Sequence, residues 1–179
     1  MNKEIHENIL ETEKILQATN GQDTVEYSIW TKQKALLKYN ENIPVFPIYN
    51  NFIYWYNLGI NIGSEQNKIR PVIIVGNTIK SPIAIIIPLT SKRLKDGFWY
   101  HIDLEKLDST ALVEQLRVIS KIRIISPFRQ KGKIVIISKS DWNKINRQSQ
   151  ILYRIKPLKN TQNWLIILYI LIIIILIKH

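Results

Sequence analysis

The alternation of apolar and polar positions divides the chain into stretches of different period. Over residues 3–18, Ile5, Ile9 and Leu16 fall on one side of a helix with Leu10 beside them, the spacing of an amphipathic helix. Asn20-Gly21 stops it, because glycine accepts the positive φ found beyond a helix end. A second helix is predicted from Thr24 to Tyr39, with Val25, Ile29, Leu36 and Leu37 as its apolar stripe. Pro44 and Pro47 cannot continue a helix, so residues 1–47 read as a helical hairpin, an arm for packing or dimerisation.

The period then shortens. Phe52–Leu58, Pro71–Val75, Ile83–Ile87, Trp99–Leu104, Leu116–Ile119 and Lys133–Ile137 are short runs rich in β-branched and aromatic residues. Asn57-Leu58-Gly59, Gly76-Asn77, Ser81-Pro82, Asp96-Gly97 and Ser126-Pro127 separate them as turn signals. This rhythm predicts a compact, barrel-like β unit of about five to seven strands. Ser138–Arg154 returns to the helical period, with Ser140 as a candidate cap and Trp142, Ile145, Leu152 and Tyr153 at apolar positions. Trp164–Ile177 is an uninterrupted apolar stretch. As a helix it would reach about 21 Å, short of the roughly 30 Å of a bilayer core, so packing against protein is the expected role and membrane association the alternative. Met1–Glu13 lacks the apolar segment of a signal peptide.

Composition narrows the chemistry. The 179 residues include no cysteine, which excludes disulfides, thiolate metal sites and a thiol nucleophile. The three histidines, His6, His101 and His179, are far apart, so neither a histidine metal site nor a Ser-His-Asp triad is expected. The net charge of +11 is unevenly spread. Residues 1–48 are slightly acidic, whereas residues 129–160 hold 9 basic side chains against one acidic. An anionic partner fits that asymmetry.

Three polar islands interrupt the apolar runs. Leu58–Pro71 is long for a hairpin connection and ends on Arg70, whose guanidinium suits phosphate oxygens. Pro88-Leu89-Thr90-Ser91-Lys92-Arg93 sets two hydroxyls before two cations at a strand end. Glu114-Gln115-Leu116-Arg117 places an acid, an amide and a cation at the head of another run. Each also fits an ordinary surface turn. Tyr54, Trp55 and Tyr56 alternate faces, so at most part of this trio reaches a ligand, and core packing accounts for the rest.

Asn57-Leu58-Gly59, Gly63-Ser64-Glu65-Gln66, Arg70-Pro71-Val72-Ile73-Ile74-Val75, Pro88-Leu89-Thr90-Ser91 and Val113-Glu114-Gln115-Leu116-Arg117-Val118-Ile119 occur in that order. The ordered set resembles the MazF/PemK (Kid) family of toxin–antitoxin endoribonucleases over roughly residues 49–145. The resemblance implies an SH3-like small β-barrel with a helical appendage, normally a homodimer; with the N-terminal helical hairpin and C-terminal helix read from the pattern, the fold class is mainly β (α+β). The chain then divides into an arm (1–47), a toxin domain (48–158) and an apolar tail (159–179), the arm and the tail lying outside the resemblance. The resemblance is with an enzyme family. It implies cytoplasmic, metal-independent cleavage of single-stranded RNA by the neighbouring 2′-hydroxyl, without a cofactor. Arg70 and Thr90 match residues acting on the scissile phosphate, and Glu114 a position that is acidic and catalytic in some members. Ser64, Glu65, Gln66, Ser91, Lys92 and Gln115 are the implied substrate-binding positions. The implied partners are RNA and a cognate antitoxin, with DNA contacted through the toxin–antitoxin complex.

The chain departs from the family pattern in places. It has Tyr49-Asn50-Asn51 where members commonly carry a basic residue, glycine and an acid, and it lacks a histidine near Ser64 and an arginine near Leu112. Glu114 therefore stays open between general base and ion-paired scaffold acid. Two other readings fit the same chain: a CcdB-like toxin that binds DNA gyrase and cuts nothing, and a catalytically inactive module held at a membrane by residues 164–177. Arg70 and Thr90 argue against the first, since a gyrase poison needs no phosphate clamp.

Overall fold

The computed structural model describes residues 2–19, 21–39 and 44–154. Two helices, α1 (Lys3–Thr19) and α2 (Gln22–Tyr39), precede nine strands. These are β1 (Ile53–Asn57), β2 (Ile69–Asn77), β3 (Ile83–Thr90), β4 (His101–Asp103), β5 (Thr110–Leu112), β6 (Arg117–Ser120), β7 (Ile124–Pro127), β8 (Arg129–Gln130) and β9 (Lys133–Ile134). Helix α3 (Lys139–Leu152) follows. Single 3₁₀ turns, Val113–Gln115 and Lys121–Arg123, flank β6. The apolar tail lies outside the described residues, as do residues 40–43 of the expected break after α2.

Strand β2 is the centre of the sheet. It pairs antiparallel with β1, Ile53 opposite Ile73 and Tyr56 opposite Arg70, and with β3, Val72 opposite Pro88 and Ile74 opposite Ile86. The sheet order is β4-β5-β3-β2-β1-β7. Strand β3 divides its outer edge, its first half pairing with β6 and its last two residues with β5. The hydrogen-bonded path therefore curls without closing into a ring, an SH3-like, partly open barrel in an α+β chain.

Alternation delivers side chains to two cores. Tyr54, Tyr56, Val72, Ile74, Ile86, Ile119 and Ile124 fill one face. Ile53, Ile73, Ile87, Leu89, Ile102, Ala111 and Val113 fill the other, where Ile145 of α3 covers them. Burial on both faces explains why these strands read as continuous apolar runs. Tyr54 and Tyr56 are buried as one face and Trp55 looks the other way, toward Phe128.

Three strands, β5, β7 and the two-residue β8, are absent from the sequence expectation. β5 is only three residues long, and β7 contains Ser126-Pro127, which reads as a turn signal. Proline is tolerated there because β7 is the edge of the sheet. The run Lys133–Ile137 is mostly not strand: only Lys133–Ile134 pair, with Arg129–Gln130, and Ile136 forms a single bridge to Phe52. The cap of α3 is Ser138, not Ser140, which sits within the first turn. The Ser138 hydroxyl oxygen accepts from the Asp141 N–H at 3.0 Å, the reach of an N-cap to the third helical residue. In the arm, Val25, Ile29 and Leu36 of the apolar stripe stay exposed, whereas Leu37 is half-buried, as are Glu26 and Trp30.

The start of α3 is tied to the β4–β5 connection. Buried Asp141 accepts from the Glu105 N–H at 3.3–3.4 Å, and the Glu105 carboxylate accepts from the Ser138 hydroxyl at 2.8 Å. The Ser140 and Ser138 hydroxyls and the Lys144 ammonium hold the Glu105 carboxyl down to about 2. Its folded value lies below the unfolded one, so its contribution is complete above about pH 4.5 and is lost as pH falls toward 2. The variant Glu105→Gln is expected to flatten the pH dependence of stability across that window, measured by urea denaturation at stepped pH.

Candidate active site

The connection between β1 and β2 is a built loop. Its neck is closed by the Leu58 N–H donating to the Lys68 carbonyl at 2.9 Å and the Lys68 N–H donating to Gly59 at 2.7 Å. Inside, the Asn61 N–H donates to Asn67 Oδ1 at 2.7 Å and the Asn61 amide donates to the Gln66 carbonyl at 2.8 Å. Neither Asn61 nor Asn67 stands out in the sequence, because amide pairing across a loop has no local signature.

Gln115 fastens this loop to the barrel. Its Oε1 accepts from the Gln66 N–H at 2.7 Å and its Nε2 donates to the Ser64 carbonyl at 3.3 Å. Arg117 donates to the same Oε1 at 3.3 Å and lies 3.6 Å from the Glu65 carboxylate. The structure thus brings Ser64, Glu65, Gln66 and Gln115 together, although Ser64 and Gln66 take part through their backbone.

Arg70 enters from the far end of the loop. Its Nε donates to the Asn67 carbonyl at 2.8 Å, which aims the guanidinium while leaving its terminal nitrogens for another acceptor. Among the described residues it has no ion-pair partner. The last β2–β3 pair is Val72 opposite Pro88; Arg70 lies two residues before it on β2 and Thr90 two residues after it on β3, where β3 has passed to pairing with β5. Thr90 is buried, and its Oγ1 accepts from the Lys92 N–H at 3.2 Å. Ser91 and Lys92 are exposed on the turn that follows. The cation and the hydroxyl predicted to share a phosphate therefore stand on neighbouring strands, each two residues beyond their last pair.

Glu114 sits in the 3₁₀ turn beside Gln115. Tyr153, just past α3, places its hydroxyl 3.0 Å from the Val113 carbonyl and 3.2 Å from that of Glu114, so the helix end steadies this turn. The partner of Glu114 is His101, which the sequence reading set aside. His101 Nε2 lies 3.1 Å from Glu114 Oε1, and its Nδ1 lies 2.7 Å from Asp96 Oδ2. Each ring nitrogen faces a carboxylate, so the imidazole donates to both only when doubly protonated. Partial desolvation opposes ionisation of Asp96, but the hydrogen bond from His101 outweighs it and holds that carboxyl below its ordinary value. Glu114 Oε2 is buried without a partner among the described residues. Asp96, His101 and Glu114 lie in separate stretches of the chain and had no shared motif to reveal them. No group of three or more histidine, cysteine or acidic side chains among the described residues is placed to hold a metal ion.

Residues 51–153 match the family model described as PemK-like, MazF-like toxin of type II toxin–antitoxin system. The chain belongs to this family. It is 33% identical over 81 residues to Endoribonuclease EndoA of Bacillus subtilis (strain 168), a match spanning 40% of this chain and 70% of that protein. It is 31% identical over 108 residues to Endoribonuclease MazF of Staphylococcus saprophyticus, spanning 55% of this chain and 85% of the relative. The crystal structure of MazF (Form-I) from Deinococcus radiodurans superposes with a TM-score of 0.50 at 13% identity, covering 62% of this chain and 99% of that one, a likeness of fold. The PemK/MazF match takes in the loop, Arg70, Thr90, Glu114 and α3, and leaves α1 and α2 outside.

Replacing Gln115 with alanine removes both ties between the loop and the turn and leaves the Gln66 N–H without its partner. It is expected to cost about 1–2 kcal/mol and to raise amide exchange over residues 64–67. Denaturation and hydrogen-exchange mass spectrometry check this.

Proposed function

We propose that this chain is the toxin of a type II toxin–antitoxin pair, an endoribonuclease that cleaves single-stranded RNA in the cytoplasm without a metal. The relatives named as endoribonucleases support this over a gyrase poison. The observation that carries it is that Arg70 and Thr90 stand on neighbouring antiparallel strands, each two residues past the Val72–Pro88 pair, beside a loop held in shape by Gln115. In-line attack by a 2′-hydroxyl supplies the nucleophile from the RNA itself, so the protein's tasks are to position the phosphate and to stabilise charge on its non-bridging oxygens. Arg70 meets the developing charge with its unoccupied terminal nitrogens, and the Thr90 hydroxyl adds a neutral donor. Glu114, steadied by His101, accepts the 2′-hydroxyl proton. Loop residues Ser64, Glu65 and Gln66, with Gln115, contact the unpaired bases, and Ser91 and Lys92 contact the backbone. The products are a cyclic 2′,3′-phosphate and a 5′-hydroxyl.

We assign residues 48–158 as the toxin domain and read it as a homodimer. A cognate antitoxin, presenting an acidic segment, competes with RNA for the surface around Arg70, Lys92 and Arg93. Among the described residues no helix is long and apolar enough to cross a membrane.

Arg70→Ala is expected to lower the cleavage rate by about 10²–10³, as for loss of one preorganised donor, measured on a labelled RNA in single turnover. Arg70→Lys rescues poorly, because an ammonium cannot fork onto two oxygens, and Thr90→Ala costs less than Arg70→Ala. Activity persists in EDTA. Wild-type cleavage by Arg70→Ala would refute the site. Adding a purified acidic antitoxin peptide is expected to displace RNA, with an affinity that weakens as salt rises. A ternary complex retaining full RNA affinity would contradict the shared surface.

A further inference from the structure

Helix α2 lies outside the region matched to the family, yet it touches the β1–β2 loop at both ends of its neck. Gln33 Oε1 accepts from the Asn57 amide at 3.2 Å. Glu26 pairs with Lys68 at 2.7 Å. Between them Trp30 lies flat against Gly59, where an added Cβ would overlap the indole. Residues 26, 30 and 33 are spaced i, i+4, i+7, so one face of α2 makes all three contacts. Glu26 and Trp30 are half-buried there and Ile29 lines the same groove, while Val25 and Leu36 stay exposed.

The grip extends into the barrel. The Arg123 guanidinium is stacked between two rings, 5.1 Å from the centroid of Trp30 and 5.1 Å from that of Tyr56. Its Nε donates to the Asn57 carbonyl at 2.9 Å. Tyr56 is the residue opposite Arg70 on β1. Trp30 is thus joined through one arginine to the neck and to the strand pair that bears Arg70. The neck itself is conformationally demanding. Lys68 has φ +68° and Gly59 φ +78°, and a lysine in the left-handed region persists only where its surroundings hold it there. Of the three contacts the exposed Lys68–Glu26 pair is the weakest, because solvent screens it, and the buried indole surface is the strongest.

We infer that α2 is a positioning element for the substrate loop, with Trp30 as its principal residue. The loop is fixed from two sides, by Gln115 and Arg117 of the barrel and by Glu26, Trp30 and Gln33 of the arm. This rests on the reading of that loop as an RNA-contacting segment. Its physical consequence is that Arg70 and residues 64–66 keep their relative placement while substrate binds. A displacement of about 1 Å at a reacting centre is enough to cost a large factor in rate.

The test uses the full chain carrying Trp30→Ala, Trp30→Phe or the pair Glu26→Gln with Gln33→Ala. Two readouts are taken together: hydrogen exchange of peptides covering residues 57–69, and cleavage of a single-stranded RNA library with kcat, KM and cut-site distribution. Trp30→Ala is expected to raise exchange in that loop at least tenfold while exchange in β2 and β3 stays as in the wild type. The same variant lowers kcat about tenfold, with a smaller change in KM and a wider set of cut sites. Trp30→Phe, which keeps an aromatic face for Arg123 and Gly59, restores most of both. The polar pair, which leaves the indole in place, gives a smaller change in the same direction and serves should Trp30→Ala fail to fold. Unchanged loop exchange, or unchanged kcat and cut sites alongside loosened exchange, overturns the inference. A wild-type chain that cuts no RNA overturns the ribonuclease reading instead, and the exchange readout still decides whether α2 holds the loop.

Discussion

The register of β2 between β1 and β3 is the constraint on which the site depends. This strand is hydrogen-bonded along both edges and buried on both faces, so a slip of one residue would exchange the contents of two cores at once. The residues that pin it are apolar: Val72 and Ile74 toward one core, Ile73 toward the other. The residue they place is charged. Arg70 stands two positions before Val72, beyond the reach of the core, opposite Tyr56 of β1. Hydrophobic burial thus sets the position of a guanidinium that it does not contain.

The loop before Arg70 depends on a different kind of bond. Almost nothing apolar is buried in residues 59–68, and its shape comes from the amides of Asn61, Asn67 and Gln115 bonding to backbone groups. Such bonds are directional and individually modest, and they hold a conformation because each satisfies a group that would otherwise be unpaired. For chemistry in which the RNA provides its own nucleophile, that is the useful property. On the proposed mechanism catalysis rests on the fixed placement of donors around a phosphate, so preorganisation counts for more than reactive side chains. A chain with no cysteine and three scattered histidines is well suited to it.

The arm adds to this placement from outside the barrel. Its apolar stripes, Ile5, Ile9 and Leu10 on α1 and Val25, Ile29 and Leu36 on α2, remain largely exposed. Their periodicity identified the helices, but it did not mark the contacts to the barrel. The reason is that Trp30 and Arg123 meet through an aromatic–cation stack and Glu26 and Gln33 through polar contacts, none of which contributes to an apolar period.

By itself the sequence determined both helices of the arm, the β-rich centre, α3, and the candidate roles of Arg70, Thr90 and the 64–66 loop. Those features are written in local order, as periodicity, turn residues and short contiguous motifs. The edge strand β7 was hidden because its proline reads as a break until the strand is known to be an edge. Tertiary structure alone decided that His101 joins Asp96 to Glu114, that Gln115 ties down the Ser64–Gln66 loop across 49 residues, and that Trp30 closes on Gly59. Each of these pairings joins residues with no fixed spacing along the chain. They meet only after sheet register and helix docking have brought distant segments within a hydrogen bond of each other.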